Sequence, residues 1–406
     1  MKGFLALCAL GCASALLAQT PQATELPGKP FFIKKTWRIG GEGNWDYLTL
    51  DASAQQLFIP HGAVVQVVAL DTGAVAGQVT GLHDAHSVAL DDHGQFGYVS
   101  DGTSNEVAVF DRQSFEVVAR VPTGKNPRAV VFEPASRLVF VICPDPATES
   151  RIPRRNGART AFDPSITSTV TVIDTVSQTR LADLTFPGRL GFAQADANGT
   201  VYVNVTDRSE IEAFKATAIE PRLHQLAAQG NSQLTIDWSD KSQGAQAAVP
   251  RQMQFIHLGT DCQSPRGLAL DGHDSRIFAA CDNMKMVVLD ATTGQTVASL
   301  PIGAGNDAIA YDPDRGMIYA SNGGGVGSLT IIRQHLTDSY AVVQELPTQA
   351  RARTLAVNPQ TGEVYLVTNV NGLDLTKPGT GGSAHTLPTV QTTPVKGSFE
   401  VLVIGN

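Results

Sequence analysis

Charge is scarce in this chain: Asp, Glu, Lys and Arg make up 17% of its 406 residues, and Phe, Trp and Tyr only 6%. The formal net charge of −8 leaves no basic excess, which argues against a general binder of nucleic acid or of anionic lipid. No apolar run beyond residue 18 approaches the roughly twenty residues a spanning helix needs. Cysteine is sparse, with five copies and none in the CxxC spacing of a zinc site. The GxSxG elbow, the HExxH zinc helix and the GxxxxGK[ST] phosphate loop are all missing. Asn322 to Gly327 is glycine-rich, but it lies between two strand-like segments with no helical pattern after it. It reads as a wide β-turn, not a dinucleotide loop. These absences leave open an enzyme whose site is assembled from scattered loops.

Residues 1–18 carry a single Lys2 followed by an apolar stretch ending in ALLA, the layout of a secretory signal peptide with cleavage after Ala18. Residues 19–30 are Pro-rich and polar, a flexible lead-in. The expected compartment is therefore periplasmic or extracellular, and the mature chain keeps Cys143, Cys262 and Cys281. In an oxidising compartment two of these can pair.

What the chain has in abundance is repetition. Seven segments share one pattern, an apolar strand that begins with a polar or small residue and ends in an acid or amide: DYLTLD (46–51), HSVALD (86–91), RAVVFE (128–133), GFAQAD (191–196), RGLALD (266–271), DAIAYD (307–312) and RTLAVN (353–358). A turn and two further strands follow each, with a fourth clearest at 75–81, 117–124 and 296–303. Alternation of period two and β-branched residues make each unit a four-stranded antiparallel meander. Such a unit cannot cover both of its faces alone, whereas radial stacking covers them all, so the sequence predicts an all-β, seven-bladed β-propeller over residues 31–406. The seventh repeat lacks a fourth strand, and FIKKTWRIGG (32–41) is a free strand suited to fill that place and close the ring. Three insertions interrupt the repeats, at about 144–168, 216–251 and 370–397; the first is basic, with Arg151, Arg154, Arg155 and Arg159.

HSVALDDHGQFGYVSDGTSNEVAVFD, GKNPRAVVFEPASRLVFV, CQSPRGLALDGHDSRIFAACDNMKMVVLDATTGQTVASLPIG and the closing GSFEVLVIGN resemble exported bacterial YncE-like proteins of the YVTN-repeat β-propeller group. The resemblance implies the seven-bladed fold. It implies no single activity, since related rings include lactonases, dehydrogenase subunits, surface-layer modules and DNA-associated periplasmic proteins.

In a propeller the innermost strand of each blade lines the central channel. Aligning the repeats puts Asp46, His86, Arg128, Gly191, Arg266, Asp307 and Arg353 on one rung at the channel mouth. Guanidinium forks suit carboxylate or phosphate oxygens, so a small anionic ligand is the natural guest, against the plainer reading of a ring of Asp–Arg salt bridges. His86 is the candidate proton carrier, an imidazole titrating near neutral pH by default. His61 and His83 offer two more imidazoles nearby, and a copper or zinc site on the three is the minor alternative. Cys262 precedes the first strand of blade five and Cys281 ends its second, which antiparallel pairing brings together as a disulfide. Cys143 has no partner and reads as a buried small hydrophobe.

The leading expectation is an exported binding or scaffold propeller holding a small anionic ligand or a protein partner at the channel mouth. The alternatives are an enzyme at the same funnel, hydrolysing a lactone or ester or serving as a redox partner with His86 as base, and a binder of single-stranded DNA through the Arg-rich loop. Net charge disfavours nucleic acid. The sequence names no cofactor, and a closed ring with little free edge makes a monomer the default.

Overall fold

Each repeat becomes a meander in the computed structural model, which describes residues 29–145, 154–155, 158–159, 165–196, 198–230, 235–237, 253–373 and 392–406. From Phe31 to Asn406 the chain forms one unit built on seven antiparallel sheets. Blade one runs from its innermost strand Thr49–Asp51 to its outer strand Val75–Val79, and blade two from Ala85–Leu90 to Val117–Pro122. Blades three and four start at Val130–Glu133 and Leu190–Ala195; blades five and six run from Pro265–Asp271 to Thr296–Pro301 and from Asn306–Asp312 to Ser339–Pro347. Blade seven has Leu355–Val357, Val364–Thr368 and Glu400–Gly405 from the C-terminal part of the chain. Its outer strand, Phe32–Arg38, comes from the N-terminal part and pairs antiparallel with Glu400–Gly405. Both ends of the ring thus lie in one sheet, as the missing fourth strand predicts.

Alternation along the strands decides where the core sits. Buried apolar side chains form seven clusters, each joining two neighbouring blades. Phe58 and Phe110 belong to the cluster between blades one and two, and Tyr365 and Leu57 to the one that joins blades seven and one. At about 25 cal/mol per Å² of apolar surface buried, these contacts are what a lone blade would lack.

The acid or amide that ends each innermost strand has a structural job. Asp51 accepts from the N–H groups of Ser53 and Ala54, Glu133 from Ala135 and Ser136, Asp271 from His273 and Asp274, and Asn358 from Gln360 and Thr361. These bonds close the tight turn into the second strand and satisfy donors the ladder has left behind.

Two features depart from the simple repeat. The insertion of blade four contains a helix, Ala216–Ala228, whose Ala216, Ile219 and Leu223 are buried in the core between blades three and four. The same insertion returns as Thr235–Asp237 and adds in parallel to the outer strand of blade three, Thr179–Pro187, making that sheet five-stranded. Of the Arg-rich stretch, only the short backbone pair Arg154–Arg155 with Ala158–Arg159 is described, and its side chains lie outside the described residues. Residues 1–28, the expected leader and most of the lead-in, also lie outside them. Among the described residues no helix is long and apolar enough to cross a membrane.

Cys262 and Cys281 form the disulfide, with Cα atoms 5.3 Å apart and both side chains buried. Cys143 is free and buried, and burial pushes its thiol up to about 12, so it is inert at neutral pH. The disulfide spans a separation of 19 residues, so replacing both cysteines by serine is expected to lower unfolding free energy by about 3 kcal/mol, read from urea melts.

Glu212, on the third strand of blade four, is fully buried and neither carboxylate oxygen has a hydrogen-bond partner. Arg208 stands 3.8 Å away, outside hydrogen-bond range. Burial raises this carboxyl to about 8, with Arg208 opposing the shift. A folded-state value above the ordinary one means the native chain holds a proton that the unfolded chain releases, so stability falls as pH rises from about 4.5 through about 8. Glu212→Gln is expected to flatten that decline and to add up to about 5 kcal/mol at the alkaline end, measured by melts across the pH series.

Candidate functional site

Innermost strands lie against the channel, and their first residues leave the ladder. In blades two, four, five and six the register slips at the rung position: between Ala85 and Val88, Leu190 and Ala193, Pro265 and Gly267, and Asn306 and Ala308. Arg266 and Asp307 each sit inside such a bulge, which turns a side chain out of its normal alternation. In blades one, three and seven the strand begins only after Asp46, Arg128 and Arg353. All seven rung residues are thereby outside regular pairing, which frees their side chains to point along the channel.

Six of them line one cavity of about 180 Å³: Asp46, Arg128, Gly191, Arg266, Asp307 and Arg353. Arg266 makes a two-pronged bond to Asp282, Nε to Oδ1 and Nη2 to Oδ2, each 3.0 Å. Asp282 follows Cys281 directly, so the disulfide anchors the carboxylate that holds this guanidinium. Arg353 places Nε 3.1 Å from Asp307 Oδ2 and donates from Nη2 to the Trp45 carbonyl at 3.0 Å. Arg128 puts Nη1 3.1 Å from His86 Nδ1 and 3.9 Å from Asp46 Oδ2.

His86 is the rung residue that does not line the cavity. Its ring is buried, with Nδ1 3.1 Å from Asp46 Oδ2 and Nε2 3.0 Å from Asp84 Oδ2. A Cβ added at Gly102 would come within 2.8 Å of Nε2, so the glycine makes room for the ring. With a carboxylate facing each ring nitrogen, His86 is placed to orient Asp46. The other imidazoles go elsewhere. His61 is buried, pairs through Nδ1 with Gln66 Oε1 at 2.9 Å and stacks on Phe399. His83 is exposed and faces Ser104 and Asp101. Among the described residues no group of three His, Cys, Asp or Glu side chains converges as a metal site.

Repeat alignment missed seven further lining residues, among them Tyr47, Arg189, Phe192 and Thr206. Gly191 leaves its place on the rung without a side chain, and Arg189, two residues earlier, is a further arginine in the cavity lining from that blade. Its backbone N–H donates to Asp207 Oδ1 at 2.7 Å, and its carbonyl accepts from Thr206 N–H and Oγ1 at 2.9 and 3.1 Å. Tyr47 of blade one meets Phe192 of blade four at 4.6 Å between ring centroids. Blades one and four are not neighbours, so the two rings meet across the channel.

Charge in the cavity is divided by position. Arg128, Arg189 and Arg266 come from the adjoining blades three, four and five, whereas Asp307, Arg353 and Asp46 come from blades six, seven and one. Burial raises the Asp307 carboxyl to about 6, with Asp46 and Asp282 adding to the rise and Arg353 and Arg266 opposing it. Burial, with Asp307 and Asp46, also holds the Tyr47 phenol well above its usual range, so it stays a hydrogen-bond donor. A second cavity of about 450 Å³ lies where blades seven and one meet, lined by His61, Phe399, Asn44, Glu42 and Lys396 among others. An ion pair on its wall, Glu42 with Lys396 at 3.0 Å, is solvent-exposed and contributes little.

No family model matches the chain, and no curated protein sequence matches it. Among solved structures it is similar to U3-55K, with a TM-score of 0.61 at 9% identity over 91% of this chain and 97% of the other. It is also similar to the RRP9 WD40 repeats, with a TM-score of 0.62 at 8% identity over the same shares. A chain of a mitotic checkpoint complex gives 0.60 at 11% identity, over 88% of this chain and 95% of that one. Likeness at such low identity shows the propeller fold alone.

Asp307 should be the late-titrating carboxylate of the cavity. In carbon-detected NMR its side chain is expected to titrate at about 6; Arg353→Gln should move the midpoint up and Asp46→Asn should move it down. Unchanged midpoints in both variants would disprove the coupling.

Proposed function

We propose that this protein is an exported, YVTN-type binding propeller whose channel cavity holds a small anionic ligand. The observation that carries the reading is the convergence of four guanidiniums, from Arg128, Arg189, Arg266 and Arg353, on one small cavity in a chain of net charge −8. Counting charged lining side chains, four cations face two carboxylates, Asp46 and Asp307. Low-dielectric walls strengthen the attraction for an anion, and guanidinium forks give it two-point contact.

The enzymatic alternative finds less support. Of the described lining residues none is Ser, Cys, Lys or His, and His86 has both ring nitrogens turned to carboxylates. The base expected for that chemistry, His86, is therefore not on the described wall. A protein partner at the mouth is compatible with the rigid ring, and the propeller neighbours lend it an analogy of fold only. The disulfide suits an oxidising compartment and so supports export.

Sulfate is the probe of choice because it does not titrate near neutral pH. Calorimetric affinity is expected to fall by about tenfold in Arg128→Gln, the loss of one charge-assisted contact. It should also weaken as pH rises through about 6, where Asp307 gains negative charge, and Asp307→Asn should remove that step. Sulfate affinity unaffected by Arg128→Gln would contradict the assignment.

A further inference from the structure

Carboxylates share the wall with the guanidiniums: of the six blades with a charged lining residue, two supply one. Asp46 and Asp307 lie on either side of the blade that carries Arg353, and Arg353 pairs with Asp307 at 3.1 Å. On the opposite arc, blades three to five, the charged described lining residues are all arginines, Arg266 being paired as well with Asp282. Tyr47, beside the two carboxylates, adds a neutral donor and meets Phe192 from across the channel. The cavity is therefore polarised: cationic on one wall, acidic with a single compensating arginine on the other. An ammonium is the group that satisfies a carboxylate pair at close range without losing its charge, while the carboxylate of the same ligand suits the guanidinium wall.

From this division of charge we infer that the ligand is a zwitterion of the α-amino acid class, its carboxylate toward Arg128, Arg189 and Arg266 and its ammonium toward Asp46 and Asp307. The inference rests on the anion-binding reading and sharpens it. A cavity of about 180 Å³ suits a molecule of this size and excludes a polymer. It also reverses the expected pH response. Asp307 faces Arg353 on blade seven, Asp46 and Tyr47 on blade one, and Arg266 and Asp282 on blade five. As it ionises on raising pH, it repels a simple anion but attracts an ammonium.

The test compares each common α-amino acid with its deaminated counterpart, for example L-glutamate with glutarate, by thermal shift and then calorimetry on the mature chain. The expected result is that at least one amino acid stabilises the protein and binds about tenfold or more tightly than its deaminated partner, the worth of one charged hydrogen bond. Its affinity should rise as pH passes through about 6, opposite to sulfate. Asp46→Asn and Asp307→Asn should each erase most of the preference, and urea melts with near-native midpoints show that the variants are folded. Equal binding of the two partners, or a preference for the deaminated acid, overturns the zwitterion and leaves the anion site standing. Failure of amino acids, deaminated acids and sulfate together overturns both readings.

Discussion

Everything in this molecule depends on the burial of apolar faces between successive blades. One blade exposes two apolar faces, and only a closed ring covers them all. The seven inter-blade clusters and the strand Phe32–Arg38, which zips onto Glu400–Gly405, are two aspects of this one constraint. Once the ring is closed, the innermost strands are held near its axis, and the residues that bulge from them have only the channel to enter. The charged cavity is thus a consequence of the fold before it is a binding site.

That geometry explains why a polar rung is tolerated. Three of the arginines have a carboxylate within a few ångströms: Arg266 has Asp282, Arg353 has Asp307, and Arg128 has Asp46. Partial burial of so many ions would be costly if any partner were absent. Burial raises the Asp307 carboxyl despite its Arg353 partner, and the nearby Asp46 carboxylate adds to the rise. The aromatic contact between Tyr47 and Phe192 fills the channel with two rings from opposite sides, so the polar groups sit against an apolar obstruction.

The architecture was legible because its signal repeats. The acid or amide ending each repeat's first strand recurs seven times and proves to be the turn cap seen at Asp51, Glu133 and Asn358, a local rule that needs no tertiary knowledge. Six of seven rung residues reach the cavity for the same reason. His86 does not, because Asp46 and Asp84 draw its ring to either side, and pairwise attraction of that kind is invisible to repeat alignment. Arg189 escaped because it occupies no repeat position; the empty side chain of Gly191 two residues later was the only clue. The helix Ala216–Ala228 did leave a trace, apolar residues at 216, 219 and 223, but strand-based alignment passes over a helical period.

The central claim is that the channel cavity binds an anionic group through its guanidiniums. Crystals soaked in selenate, an isostere of sulfate with a strong anomalous signal, test it most directly. The account predicts one selenium peak inside the cavity, within hydrogen-bond reach of Arg128, Arg189, Arg266 or Arg353. A cavity holding only water while selenate binds elsewhere on the surface would contradict it.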